Sequence, residues 1–94
     1  MALNKRLLYK ICVKGRVHGV GFRWSAANEA NMRGINGLVK NLSDGTLYIE
    51  AEGPEDQLND FVEWCRKGPR FSSVESVDVE SCPPVNHTDF SIEH

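Results

Sequence analysis

The chain has 94 residues, 40% of them hydrophobic and 26% charged, with a formal net charge of −2. That length supports one small domain, assigned here to residues 1–94, with little room for a second core. The near-neutral charge gives no electrostatic basis for nucleic-acid or membrane binding, and no apolar run approaches the length of a membrane span.

Residues 1–10 lack the apolar stretch and cleavage site of a secretory signal, so the expected location is the cytoplasm. Leu7, Tyr9, Ile11 and Val13 alternate with Leu8, Lys10, Cys12 and Lys14, the pattern of a half-buried strand. The glycine-rich stretch KGRVHGVGFRW follows at 14–24. From Phe22 to Arg33 the residues favour a helix with Phe22, Ala26 and Ala30 on one face, and Gly34 stops it. A second strand is predicted from about Ile35 to Leu42. NLSDG then reads as a turn with Asp44-Gly45 as its hairpin signal. In the third strand Leu47, Ile49 and Ala51 face one way, and Tyr48, Glu50 and Glu52 the other.

Gly53-Pro54-Glu55 opens a second helix, with Pro54 expected in its first turn. Leu58, Phe61, Val62 and Cys65 form its apolar stripe, and Gly68-Pro69 closes it. Val77 and Val79 mark a fourth strand that Cys82-Pro83-Pro84 ends, and Phe90 and Ile92 alternate in a short fifth. The order β-α-β-β-α-β with a late extra strand predicts an α+β sandwich. Its form is ferredoxin-like, one antiparallel sheet with both helices on one face.

Three cysteines, Cys12, Cys65 and Cys82, are too few and too widely spaced for a disulfide framework. They read as free thiols in a reducing compartment. His18, His87 and His94 form no metal-ligand spacing with them, so no metal site is expected.

Since many functions share this fold, the site must carry the chemistry. Between a strand and a helix, glycines let main-chain N–H groups converge on an anion at the helix N-terminus. The stretch is neither a dinucleotide fingerprint, since Trp24 stands where the third glycine belongs, nor a P-loop, since no Gly-Lys-Ser/Thr closes it. A plain flexible connection fits the glycines equally well. Arg23 adds a planar fork suited to two phosphate oxygens.

GRVHGVGFR resembles the acylphosphatase signature G-x-V-Q-G-V-x-F-R, through Gly15, Val17, Gly19, Val20, Phe22 and Arg23, with His18 in place of glutamine. GLVKNLSDGTLYIEAEG resembles the second signature of that family through Gly37, Val39, Lys40, Asn41, Gly45 and Gly53, with Leu38 replacing an aromatic residue and Leu47 a valine. The resemblance extends over nearly the whole chain to the terminal FSI. It implies the ferredoxin-like fold and hydrolysis of carboxyl-phosphate anhydrides without a cofactor. It also implies that Arg23 binds the phosphoryl group with the main chain of Arg16, Val17, His18, Gly19, Val20 and Gly21, and that Asn41 positions the attacking water.

Several residues have plainer readings. Asn41 suits an Asx turn before Ser43-Asp44-Gly45. Trp24 reads as a packing residue rather than a substrate contact, and Ser25 has no paired base. Glu50 and Glu52 fit either an exposed surface or an acid/base pair. The expected partner is a small acyl phosphate, and the expected state a monomer. Two rivals stand beside the enzyme. One is a non-catalytic anion-binding or protein-interaction module of the same fold. The other is an RNA-recognition domain, which the absence of its aromatic motif disfavours.

Overall fold

Apolar alternation sets the sheet. The computed structural model describes residues 5–94, and in it β1 (Arg6–Arg16) and β3 (Leu47–Pro54) pair antiparallel, with Ile11 opposite Ile49 and Val13 opposite Leu47. All four of these side chains are buried. The expected alternation holds: Tyr9, Ile11 and Val13 from β1 meet Leu47, Ile49 and Ala51 from β3 in one core. Arg16 ends β1 opposite Ser73, beyond a register shift at Lys14/Gly15.

Helix α1 (Phe22–Met32) buries Phe22, Ala26, Ala27 and Ala30 against this core, and α2 (Glu55–Lys67) buries Leu58, Phe61, Val62 and Cys65. Pro54 is the N-cap of α2 rather than a residue of its first turn. It still precedes the helix without offering an N–H, which a helix start does not need. Arg33 joins the two helices, donating from Nε to Asp60 Oδ2 at 2.7 Å and from Nη1 to Glu29 Oε1 at 2.6 Å. Cys12, Cys65 and Cys82 are free thiols. Burial pushes the Cys65 thiol up to about 12, which keeps it protonated and unreactive.

With β2 (Asn36–Asn41), β4 (Ser73–Cys82) and β5 (Phe90–Glu93), the sheet runs β4-β1-β3-β2-β5. Four strands are antiparallel, as expected. The extra strand differs: β5 lies parallel to β2, with Val39 opposite Ile92, and makes the sheet mixed. Gly37 starts this pairing by donating its N–H to the Asp89 carbonyl at 2.7 Å. Its φ of +150 favours glycine, and a β-carbon there would strike the Glu50 carbonyl oxygen.

To pass from one edge of the sheet to the other, the chain at 83–88 runs without regular structure. Its N–H groups need partners. Glu52, 1% exposed, supplies them: Oε1 accepts from Val85 at 3.1 Å and His87 at 3.2 Å, and Oε2 from Asn86 at 3.1 Å. Glu52 is therefore neither a surface residue nor half of an acid/base pair. Neighbouring Glu50 is also structural. It accepts from Tyr48 Oη at 2.8 Å and meets His87 Nε2 at 2.8 Å.

Two outcomes follow for this face. Glu52→Ala is expected to lower stability by about 2 kcal/mol in urea unfolding, since three N–H groups lose a charged acceptor, and Glu52→Gln by less. A loss under about 0.5 kcal/mol would show the connection holding itself. For Glu50, burial works to raise the carboxyl pKa, but the bonds from His87 and Tyr48 outweigh it and hold it below the ordinary value. A depressed folded pKa stabilises the fold above the unfolded value, and that contribution is lost as pH falls through the folded one. The Tm difference between wild type and Glu50→Gln should shrink from about pH 6 to about pH 3. A constant difference would contradict this linkage.

Candidate active site

The segment between β1 and α1 is short, and two of its glycines turn it. Gly19 and Gly21 have φ of 71 and 74, the left-handed region open to glycine at little cost. Gly21 is the N-cap of α1, and its carbonyl accepts the Ser25 N–H at 3.0 Å. Among the described residues, no main-chain bond is donated by His18 to Gly21. α1 also begins without a side-chain cap or an acidic residue in its first turn, whereas α2 carries Glu55 and Asp56 there. The positive end of the α1 dipole and its free N–H groups are thus uncompensated, the arrangement that receives an anion.

Arg23 follows in the first turn. Its Nη1 donates to the Glu93 carbonyl at 3.0 Å and lies 3.3 Å from His94 Nδ1. Both partners are on the β5 side, so the parallel pairing of β5 with β2 fixes the guanidinium. Its Nε and Nη2 have no protein partner among the described residues. That edge of the fork is free for two oxygens.

Asn41 closes β2 opposite Leu47. Its Oδ1 is the one buried side-chain nitrogen or oxygen without a hydrogen-bond partner among the described residues. Asn41 therefore makes no Asx turn. Asp44 does that work, accepting from Thr46 N at 3.0 Å and Thr46 Oγ1 at 2.7 Å. A buried acceptor left unpaired is costly unless something else binds it.

One cavity of about 310 Å³ gathers these groups, lined by Val17, Gly19, Gly21, Arg23 and Asn41 together with Phe22, Trp24, Ile92 and His94. Of the loop residues anticipated from sequence, Arg16, His18 and Val20 do not line it. Arg16 is paired in β1, Val20 packs on the core, and His18 Nε2 donates to the Thr46 carbonyl at 2.9 Å. His18 thus ties the loop to the β2–β3 turn. Ile92 and His94 were missed, because only the sheet order brings β5 beside β2. Trp24 was assigned to packing, yet it is 66% exposed at the cavity. Among the described residues, no group of three or more His, Cys, Asp or Glu could hold a metal ion.

The acylphosphatase family profile matches residues 9–92. The chain belongs to the acylphosphatase family. It is 48% identical over 87 residues to an acylphosphatase of Bacillus subtilis, covering 92% of this chain and 96% of the relative. The crystal structure of acylphosphatase from Bacillus subtilis superposes with a TM-score of 0.91 at 45% identity, over 94% of this chain and 99% of that one. An acylphosphatase structure from Coxiella burnetii gives a TM-score of 0.91 at 30% identity, over 99% of this chain and all of that one (100%).

His18 replaces the glutamine of the family signature, and both side chains can donate an N–H. His18→Gln is expected to bind inorganic phosphate as wild type does. His18→Ala, with the loop untied, should bind it about fivefold more weakly in calorimetry. Equal binding by all three proteins would mean that the tie to Thr46 does not shape the loop.

Proposed function

We propose that this chain hydrolyses carboxyl-phosphate anhydrides to a carboxylate and inorganic phosphate. The observation that carries this reading is one cavity shared by the glycine loop, the free edge of Arg23 and the unpaired oxygen of Asn41. Small acyl phosphates are the substrates. Three free thiols suit the reducing cytoplasm, and a monomer suffices because one chain supplies every group named here.

The phosphoryl oxygens take the N–H groups of the loop and the first turn of α1, and Arg23 grips two of them with Nε and Nη2. These donors are in place before substrate arrives, so little reorganisation is needed as charge shifts in the transition state. Asn41 Oδ1 accepts a hydrogen bond from a water and aims its oxygen at phosphorus. The new bond joins the water oxygen to phosphorus, and the bond to the acyl oxygen breaks with its electron pair leaving on the carboxylate. That leaving group is a weak base, with a conjugate-acid pKa of about 4, and departs without a general acid. An amide cannot take the water's proton, which passes to a phosphoryl oxygen of the substrate. Charge stabilisation and positioning then carry the catalysis, as is usual for phosphoryl transfer.

The two side chains should fail differently. Arg23→Ala is expected to lose both phosphate binding and turnover, and Arg23→Lys to recover only part, because an ammonium lacks the fork. Asn41→Ala should lose on the order of a hundredfold in kcat while phosphate binding stays within about twofold. Steady-state hydrolysis of acetyl phosphate and phosphate titration measure both, with circular dichroism to check folding. A folded Arg23→Ala of normal activity would end this reading. A folded Asn41→Ala that loses phosphate binding as Arg23→Ala does would end the division of labour.

A further inference from the structure

We propose that Trp24 is an acyl-binding wall that makes this site selective for acyl phosphates with an aromatic or bulky apolar acyl group. The inference rests on the hydrolysis proposed above and names its preferred substrates. Packing does not account for this residue. α1 buries Phe22, Ala26, Ala27 and Ala30, and Trp24 is off that face. Among the described residues the aromatic pairs join Phe22 and Phe61 to Trp64 and leave Trp24 out. Its indole N–H has no acceptor among the described hydrogen bonds, and the side chain is 66% exposed. An indole kept in water forgoes the stabilisation that burial of its apolar surface would bring.

Its position gives that surface a use. Trp24 follows Arg23 directly and lines the same cavity. Phe71 is as exposed, at 76%, but lines no cavity with the anion groups. Loop glycines, Arg23 and Asn41 take the phosphoryl group and the water. The bridging oxygen then leads the acyl group toward the remaining lining, where Val17 and Phe22 are only 1% exposed and the open surface is that of Trp24, Ile92 and His94. Two of these three side chains are apolar, and among the described residues no carboxylate side chain lines the cavity. The chemistry suits an apolar acyl group, and a flat one can lie on the indole in an offset stack. An acetyl group is too small to cover that ring.

The test compares benzoyl phosphate with acetyl phosphate in wild type, Trp24→Ala and Trp24→Phe. Wild type should favour benzoyl phosphate. Trp24→Ala should lose that preference about tenfold, mostly as a higher KM for benzoyl phosphate, with acetyl phosphate changed less than about twofold. Trp24→Phe should keep most of the preference, since a smaller ring still stacks. Inhibition by inorganic phosphate should be the same in all three, which separates the acyl wall from the phosphate cradle. An unchanged ratio of kcat/KM values in Trp24→Ala would overturn the proposal, as would an equal fall for both substrates. Wild type inactive on both acyl phosphates would remove the underlying hydrolysis, and the proposal with it.

Discussion

A guanidinium that is to bind a phosphoryl group must be held in place without being neutralised. Arg23 meets this constraint through the Glu93 carbonyl and the His94 ring nitrogen. Neither is a carboxylate, so the positive charge is not cancelled, and among the described residues only one nitrogen of the fork is used. A salt bridge at this position would fix the side chain equally well and cancel its field. The arrangement requires β5 beside β2. That in turn requires the chain to cross from β4, at the far edge of the sheet, with its N–H groups satisfied. Glu52 meets that need on the face away from the helices, so a carboxylate kept out of the cavity helps to place the arginine within it.

Two of the three glycines of residues 14–24, Gly19 and Gly21, belong to the same cavity. Gly19 and Gly21 turn the main chain through conformations that side chains disfavour, and Gly21 starts α1 without a capping side chain. The contrast with α2 is electrostatic. There Glu55 and Asp56 offset the positive end, and Arg66 and Lys67 the negative one. One helix has its dipole neutralised by its own sequence, and the other leaves its N-terminal end uncompensated.

Much of this was legible in the sequence, for local reasons. The stripe Leu58, Phe61, Val62, Cys65 and the alternation Leu47, Ile49, Ala51 each report one element's buried face. Asp44-Gly45 marked its turn through side-chain chemistry a few residues long. What escaped was set at long range. A glutamate on the polar side of a strand looks exposed until another segment covers it, so the burial of Glu52 could not be read from β3. Parallel pairing of β5 leaves no trace in a four-residue strand, and His94 and Ile92 could not be placed at the site without it. Trp24 was misread because an aromatic residue in a helix usually packs. The role of His18 as a tie needed the three-dimensional nearness of Thr46.

The parallel strand also bears on how the molecule responds to heat. β5 has four residues, lies at the edge of the sheet, and is paired with a strand some fifty positions earlier in the chain. Short edge elements open at low free-energy cost, well before a core such as that of β1, β3 and α2 unfolds. Each opening would release Arg23 from Glu93 while most of the fold persists. The temperature limit of the site would then be set by fraying of this strand rather than by global melting. A bound phosphoryl group, by engaging Arg23 while it is docked, would draw that edge closed through linkage. Substrate would in this way complete the structure that binds it.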